Sequence, residues 1–112
     1  MLLEFLAPKS DYETFRVPVS TDNSNRTASD GVLDRDVLAL QTKAAIDALK
    51  IANPDKVVTL GGVCSVSVPV FTYLADKCSD DVSVVWIDAY PDITLPGDDY
   101  TGYHALQFCF IN

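Results

Sequence analysis

Basic residues are scarce in this 112-residue chain: eight lysines and arginines face sixteen aspartates and glutamates, giving a net charge of −8. Nucleic acid and anionic membrane surfaces both require clustered Lys and Arg, so neither is expected as a partner. Cysteine is also sparse. Cys64, Cys78 and Cys109 are odd in number and include no CxxC pair, which argues against a disulfide framework and against a structural zinc site. A reduced, cytoplasmic setting is the expectation. No apolar run reaches the length of a membrane span. The apolar start MLLEFLAPKS lacks a basic leader, holds Glu4 within the run and breaks at Pro8, so it does not read as a secretory signal.

What the chain does contain is ordinary globular material, 48% hydrophobic and 21% charged. At this size it forms one domain at most and buries roughly two-thirds of its unfolded surface. Its acidity suits cations, whether metal ions or guanidinium and amine substrates.

Two regions differ in character. Residues 1–33 are dominated by Ser, Thr, Asp and Asn and read as an irregular N-terminal arm, with LLEFLA as at most one short element. Residues 34–112 carry the periodic signals. Asp34 offers an N-cap, and Val37, Leu38, Leu40, Ala44, Ala45, Ala48, Leu49 and Ala52 follow at helical spacing until NPD at 53–55 stops the helix. KVVTLGG reads as a buried strand entering a tight turn. SVSVPVFTYLADKC then has Val70, Phe71, Leu74 and Cys78 on one helical face, with Pro69 in a first turn that tolerates it. VSVVWID follows as a second strand. Strand, helix, strand is a βαβ unit, for which a parallel sheet with right-handed crossover is expected. Two strands and two helices cover such a sheet poorly, and the exposed edge favours a homo-oligomer.

In parallel α/β sheets, ligands bind outside the carboxyl ends of the strands. That rule selects GGVCS at 61–65 and DAYPD at 88–92. In an extended chain Asp88, Tyr90 and Asp92 point to one side, and Pro91 disfavours a helix there. Cys64, Asp88, Tyr90, Asp92 and His104, the single histidine, are the candidates for one cluster. Taken alone, each has a plainer role: a strand-end acid capping a turn, a small buried thiol, a solvated loop histidine. Cys64 on a strand-to-helix turn with His104 as base also suggests a Cys-His hydrolase. Against it, Val66 stands at the closing glycine of the G-x-C-x-G pattern and no third member is evident.

From about Asp34 to Gln107 the chain resembles the ureohydrolase family, the arginases and agmatinases, through the paired motifs GGVCS and DAYPD. The family's motifs usually read GGDHS and DAHxD. The resemblance implies a three-layer, parallel-sheet α/β fold, here truncated, so that residues 34–112 form a partial arginase-like domain. It implies a small guanidino or amidine substrate whose C–N bond is hydrolysed with two manganese ions. Asp88 and Asp92 match metal-ligating aspartates; Cys64 and Tyr90 stand where the family has histidine ligands; His104 resembles the loop histidine that shuttles protons. A thiolate is soft and shifts preference from manganese toward zinc or iron. A phenol is mostly neutral at pH 7 and ligates weakly. Val63 replaces an acid of the first motif. The family's later D-x-D pair has no counterpart in a suitable context, since Asp34-Arg35-Asp36 opens a helix. The expectation is therefore a hydrolase by lineage that is inactive or impaired, with a non-catalytic fragment or interaction module as the alternative.

Overall fold

The computed structural model describes residues 13–79 and 81–102, so the LLEFLA run, His104 and Cys109 lie outside the described residues. Among the described residues the longest element is helix α1, Arg35–Ala52. Asp34 occupies its N-cap position in the left-handed region with no side-chain cap bond. Its carboxylate instead accepts from Arg26 Nε at 2.6 Å, tying the preceding loop to the helix start. The helix ends as NPD predicts. Asn53 turns left-handed at φ 47° and donates its N–H to Leu49 O at 2.8 Å, the cap that Asn tolerates better than most residues. Pro54 then prevents continuation.

The polar stretch before α1 holds a hairpin. Strands β1, Ala28–Ser29, and β2, Val32–Leu33, pair antiparallel with Ser29 opposite Val32. The two-residue loop between them is Asp30-Gly31, with φ of 49° and 76°, the double positive φ that a hairpin turn needs to match strand twist. Gly31 has a second reason to lack a side chain: a Cβ there would strike the backbone of Pro96 and Gly97. Leu33 N donates to Thr101 O at 3.1 Å, so the late loop is seated on the hairpin, beside the deeply buried Val32.

A 3-10 turn, Cys64–Ser67, leads into helix α2, Val68–Lys77, with Pro69 in its first turn. There the missing N–H would have had no helical partner anyway. Helix α2 packs on α1. Val68, Pro69 and Tyr73 are its buried residues, while Val70, Phe71 and Leu74 are half-buried and Cys78 is exposed. The inward face is thus rotated from the Val70, Phe71, Leu74, Cys78 stripe. The rotation has a polar cause. Tyr73, only 4% exposed, shares its O–H between Pro54 O at 3.0 Å and Asn53 Oδ1 at 3.2 Å. Lys77 Nζ reaches the same loop, donating to Pro54 O at 2.8 Å, Asp55 Oδ1 at 3.0 Å and Asn53 O at 3.3 Å. The Asp55 carboxylate raises the Lys77 pKa most, and the ammonium sits 5.7 Å from the Tyr73 ring centroid.

The expected parallel pair is not among these elements. Residues 57–61 and 81–88 have no strand partner among the described residues, although Phe71 holds Trp86 edge-on at 6.2 Å between ring centroids. A parallel strand is stable when both its faces are covered, and here Val85 and Ile87 remain 83% and 92% exposed. Among the described residues the helical crossover is present without the ladder it would connect. No helix among the described residues is long and apolar enough to cross a membrane.

The loop clamp gives a direct test. Tyr73→Phe keeps the ring but leaves the Pro54 and Asn53 acceptors short of a donor, and is expected to cost about 1–2 kcal/mol. It should appear as a lower denaturant midpoint at unchanged slope. Lys43→Ala, which removes an exposed pair with Asp47 on α1, should leave the midpoint nearly unmoved.

Candidate metal centre

The two stretches selected by the strand-end rule do meet. On the first, Gly61 lets the chain fold back tightly: a Cβ there would collide with the Val66 side chain. Val66 N donates to Val63 O at 3.3 Å, closing the turn that places Cys64 at the head of the 3-10 segment leading into α2. Gly62 has open space around it, so the steric demand falls on the first glycine of the pair.

On the second stretch, Asp88 organises its own turn. Its Oδ1 accepts the Tyr90 N–H at 3.1 Å, the side-chain-to-backbone bond two residues on by which Asp stabilises bends. Its Oδ2 accepts from Cys64 Sγ at 3.4 Å. Asp92 completes the group at φ 51°, in the left-handed region. It is 7% exposed and is the buried charged residue among the described ones. The donor atoms of Cys64, Asp88 and Asp92 all lie within 4.8 Å of one another.

Asp88 and Asp92 therefore converge, but by a bend and a left-handed residue and not by strand alternation. Tyr90 is 74% exposed, and what it contributes to Asp88 is its backbone N–H. That orienting N–H escaped the sequence reading, although an Asp followed two residues later by a non-proline residue is the pattern that permits it. His104 lies outside the described residues.

Electrostatics of the cluster is reciprocal. The Cys64 thiol is pushed above its ordinary pKa, first by its hydrogen bond to Asp88, then by partial burial and the charges of Asp88 and Asp92. Asp88, an exposed residue, is held below the usual carboxylate value, chiefly by the Tyr90 N–H and next by the Cys64 thiol, with slight desolvation opposing the shift. The arrangement favours a protonated thiol beside an ionised Asp88. A nucleophilic cysteine needs the reverse, an electropositive setting that favours thiolate, so the local charge opposes a Cys-His hydrolase.

Metal chemistry suits the same charges. One ion with metal–donor bonds of about 2.0–2.3 Å holds donors no more than roughly 4.6 Å apart, so this group, contained within 4.8 Å, needs only a small closing of its side chains to share one ion. A pair of manganese ions fits less well. Two such ions call for more oxygen and imidazole donors than the two carboxylates and one thiol that this group holds among the described residues.

The Arginase family model matches residues 10–111 of the chain. No curated protein matches it.

The raised Cys64 pKa predicts slow alkylation in metal-free protein. Asp88→Ala removes the acceptor that is the largest cause of that shift, lowering the thiol pKa and raising the thiolate fraction at pH 8. Iodoacetamide labelling of the Cys64 peptide, followed by mass spectrometry, should speed up a few-fold in the variant. The difference should close as pH rises beyond both thiol pKa values. Equal rates at pH 8 would mean that Asp88 does not hold the proton on Cys64.

Proposed function

The chain belongs to the arginase family, and from that premise we propose that it is a metal-dependent hydrolase by lineage, directed at guanidinium or amidine C–N bonds. The observation that carries the proposal is the convergence of Cys64, Asp88 and Asp92 within 4.8 Å. A divalent ion bound there supplies Lewis acidity and lowers the pKa of water.

The chain's own residues have distinct tasks in this reading. Asp88 is presented by the Tyr90 N–H and stays ionised, so it meets a cation without first losing a proton. Asp92 brings a second carboxylate from a buried position, where water competes less for its charge. The net charge of −8 draws a small cationic substrate toward the protein. His104, matching the family's loop histidine, moves the proton. Cys64 and Tyr90 take the places of two family histidines, and the loss of imidazole donors makes the expected turnover weak beside that of fully equipped relatives. The exposed Val85 and Ile87 favour a second reading, a non-catalytic module that associates with another copy through that apolar run.

Thermal melts with Mn²⁺ or Zn²⁺ test the first reading, because an ion that binds only the folded state stabilises it by about 2.7 kcal/mol at a hundredfold excess over Kd. The melting temperature is expected to rise for the native chain and to rise much less for Asp88→Ala. Urea release from arginine or agmatine then measures turnover. No shift with any divalent ion would remove the metal-dependent reading, and a concentration-dependent dimer without a metal shift would favour the module.

A further inference from the structure

We infer that the site selects a single thiophilic divalent ion, of the zinc class, in place of a manganese pair. The inference rests on the metal-dependent reading above and narrows it to one ion and one ligand chemistry.

Three features of the group lead there. First, its extent limits the number of ions. All three donor atoms lie within 4.8 Å of one another, so each can reach the same ion. Two ions sharing three donors would leave each with few protein ligands, and manganese, which favours oxygen-rich six-coordinate surroundings, would have to draw most of its shell from water. Second, the donor set is mixed. Cys64 contributes sulfur, and Asp88 and Asp92 contribute oxygen; sulfur raises affinity for zinc over manganese, which also stands at the weak end of the divalent series for any such site. Third, three protein donors with one remaining position is the arrangement of a zinc site open to water or substrate.

The supporting shell favours a preformed site. The 3-10 turn places Cys64, the Tyr90 N–H holds Asp88, and Asp92 is buried. Ligands oriented by fixed outer contacts lose little freedom when an ion arrives. The placement of Cys64 also uses Gly61, whose missing Cβ leaves room for Val66, so the glycine serves the sulfur ligand as much as the turn.

The test is equilibrium dialysis of the full chain against Zn²⁺ or Mn²⁺ with elemental quantification, together with Co²⁺ absorption spectra. Cys64→Ser and Cys64→His serve as variants. The expected result is one Zn²⁺ per chain, preferred over Mn²⁺ on the order of a hundredfold. Co²⁺ should give a sulfur-to-metal charge-transfer band in the native chain that Cys64→Ser lacks, and Cys64→His should narrow the preference. Two ions per chain, Mn²⁺ bound as tightly as Zn²⁺, or a Co²⁺ band unchanged in Cys64→Ser would overturn the inference while leaving metal dependence intact. Absence of any bound divalent ion from protein with a cooperative melt would overturn both. Where a variant fails to fold, native-chain stoichiometry, preference and the Co²⁺ band decide the matter.

Discussion

The carbonyl of Pro54 accepts from both the Tyr73 hydroxyl and the Lys77 ammonium, and much of the structure depends on that loop being held. Asn53 and Pro54 end α1, and Tyr73 and Lys77 lie one turn apart on α2, so the contact fixes the end of one helix against the face of the other. It also settles which face of α2 turns inward. Burying the Tyr73 ring stabilises by about 1.5–3 kcal/mol, and its hydroxyl is satisfied only where the chain breaks at Asn53 and Pro54 and offers free acceptors. The exposed Lys50–Asp76 pair across the helices, at 3.4 Å, adds little to this.

From that anchored helix the cluster is reached through short connections. The 3-10 turn runs directly into α2 and places Cys64, while Phe71 on the same helix holds Trp86, two residues before Asp88. Both halves of the cluster are therefore referred to one rigid element. This is a sound way to place donors, since side chains based on a helix are positioned more closely than those on loops alone. The hairpin plays the parallel part for the late segment, with Gly31 against Pro96 and Gly97 and with Leu33 bonded to Thr101. Asp92 lies between the Trp86 contact and this second anchor.

The apolar runs that surround these anchors remain open. Val58, Val85 and Ile87 face solvent, in segments whose composition suits the buried strands of an α/β sheet. The match to the arginase family spans these segments. Strand formation itself requires a neighbour's backbone, and hydrophobicity cannot replace the ladder. Local pattern and local structure therefore part company here, whereas the helices, whose hydrogen bonds close within a single segment, form as their periodicity indicates.

Several features were legible from residues alone because their causes are local. Asn53 and Pro54 end α1 by backbone preference, Pro69 sits in a first turn because it lacks an N–H, and the paired motifs around Cys64 and Asp88 name two side chains that the structure brings together. The Asp30-Gly31 hairpin was equally local, yet the surrounding Ser, Thr and Asn masked it as loop. Other features depended on groups distant in sequence. That Asp34 pairs with Arg26 instead of capping its helix, that Tyr73 and not Cys78 turns inward, and that Asp88 and Asp92 converge through a bend with Tyr90 outside were decided only in three dimensions. The physical reason is common to all three: a polar side chain takes whichever partner packing brings within hydrogen-bonding distance, and spacing along the chain does not specify that partner.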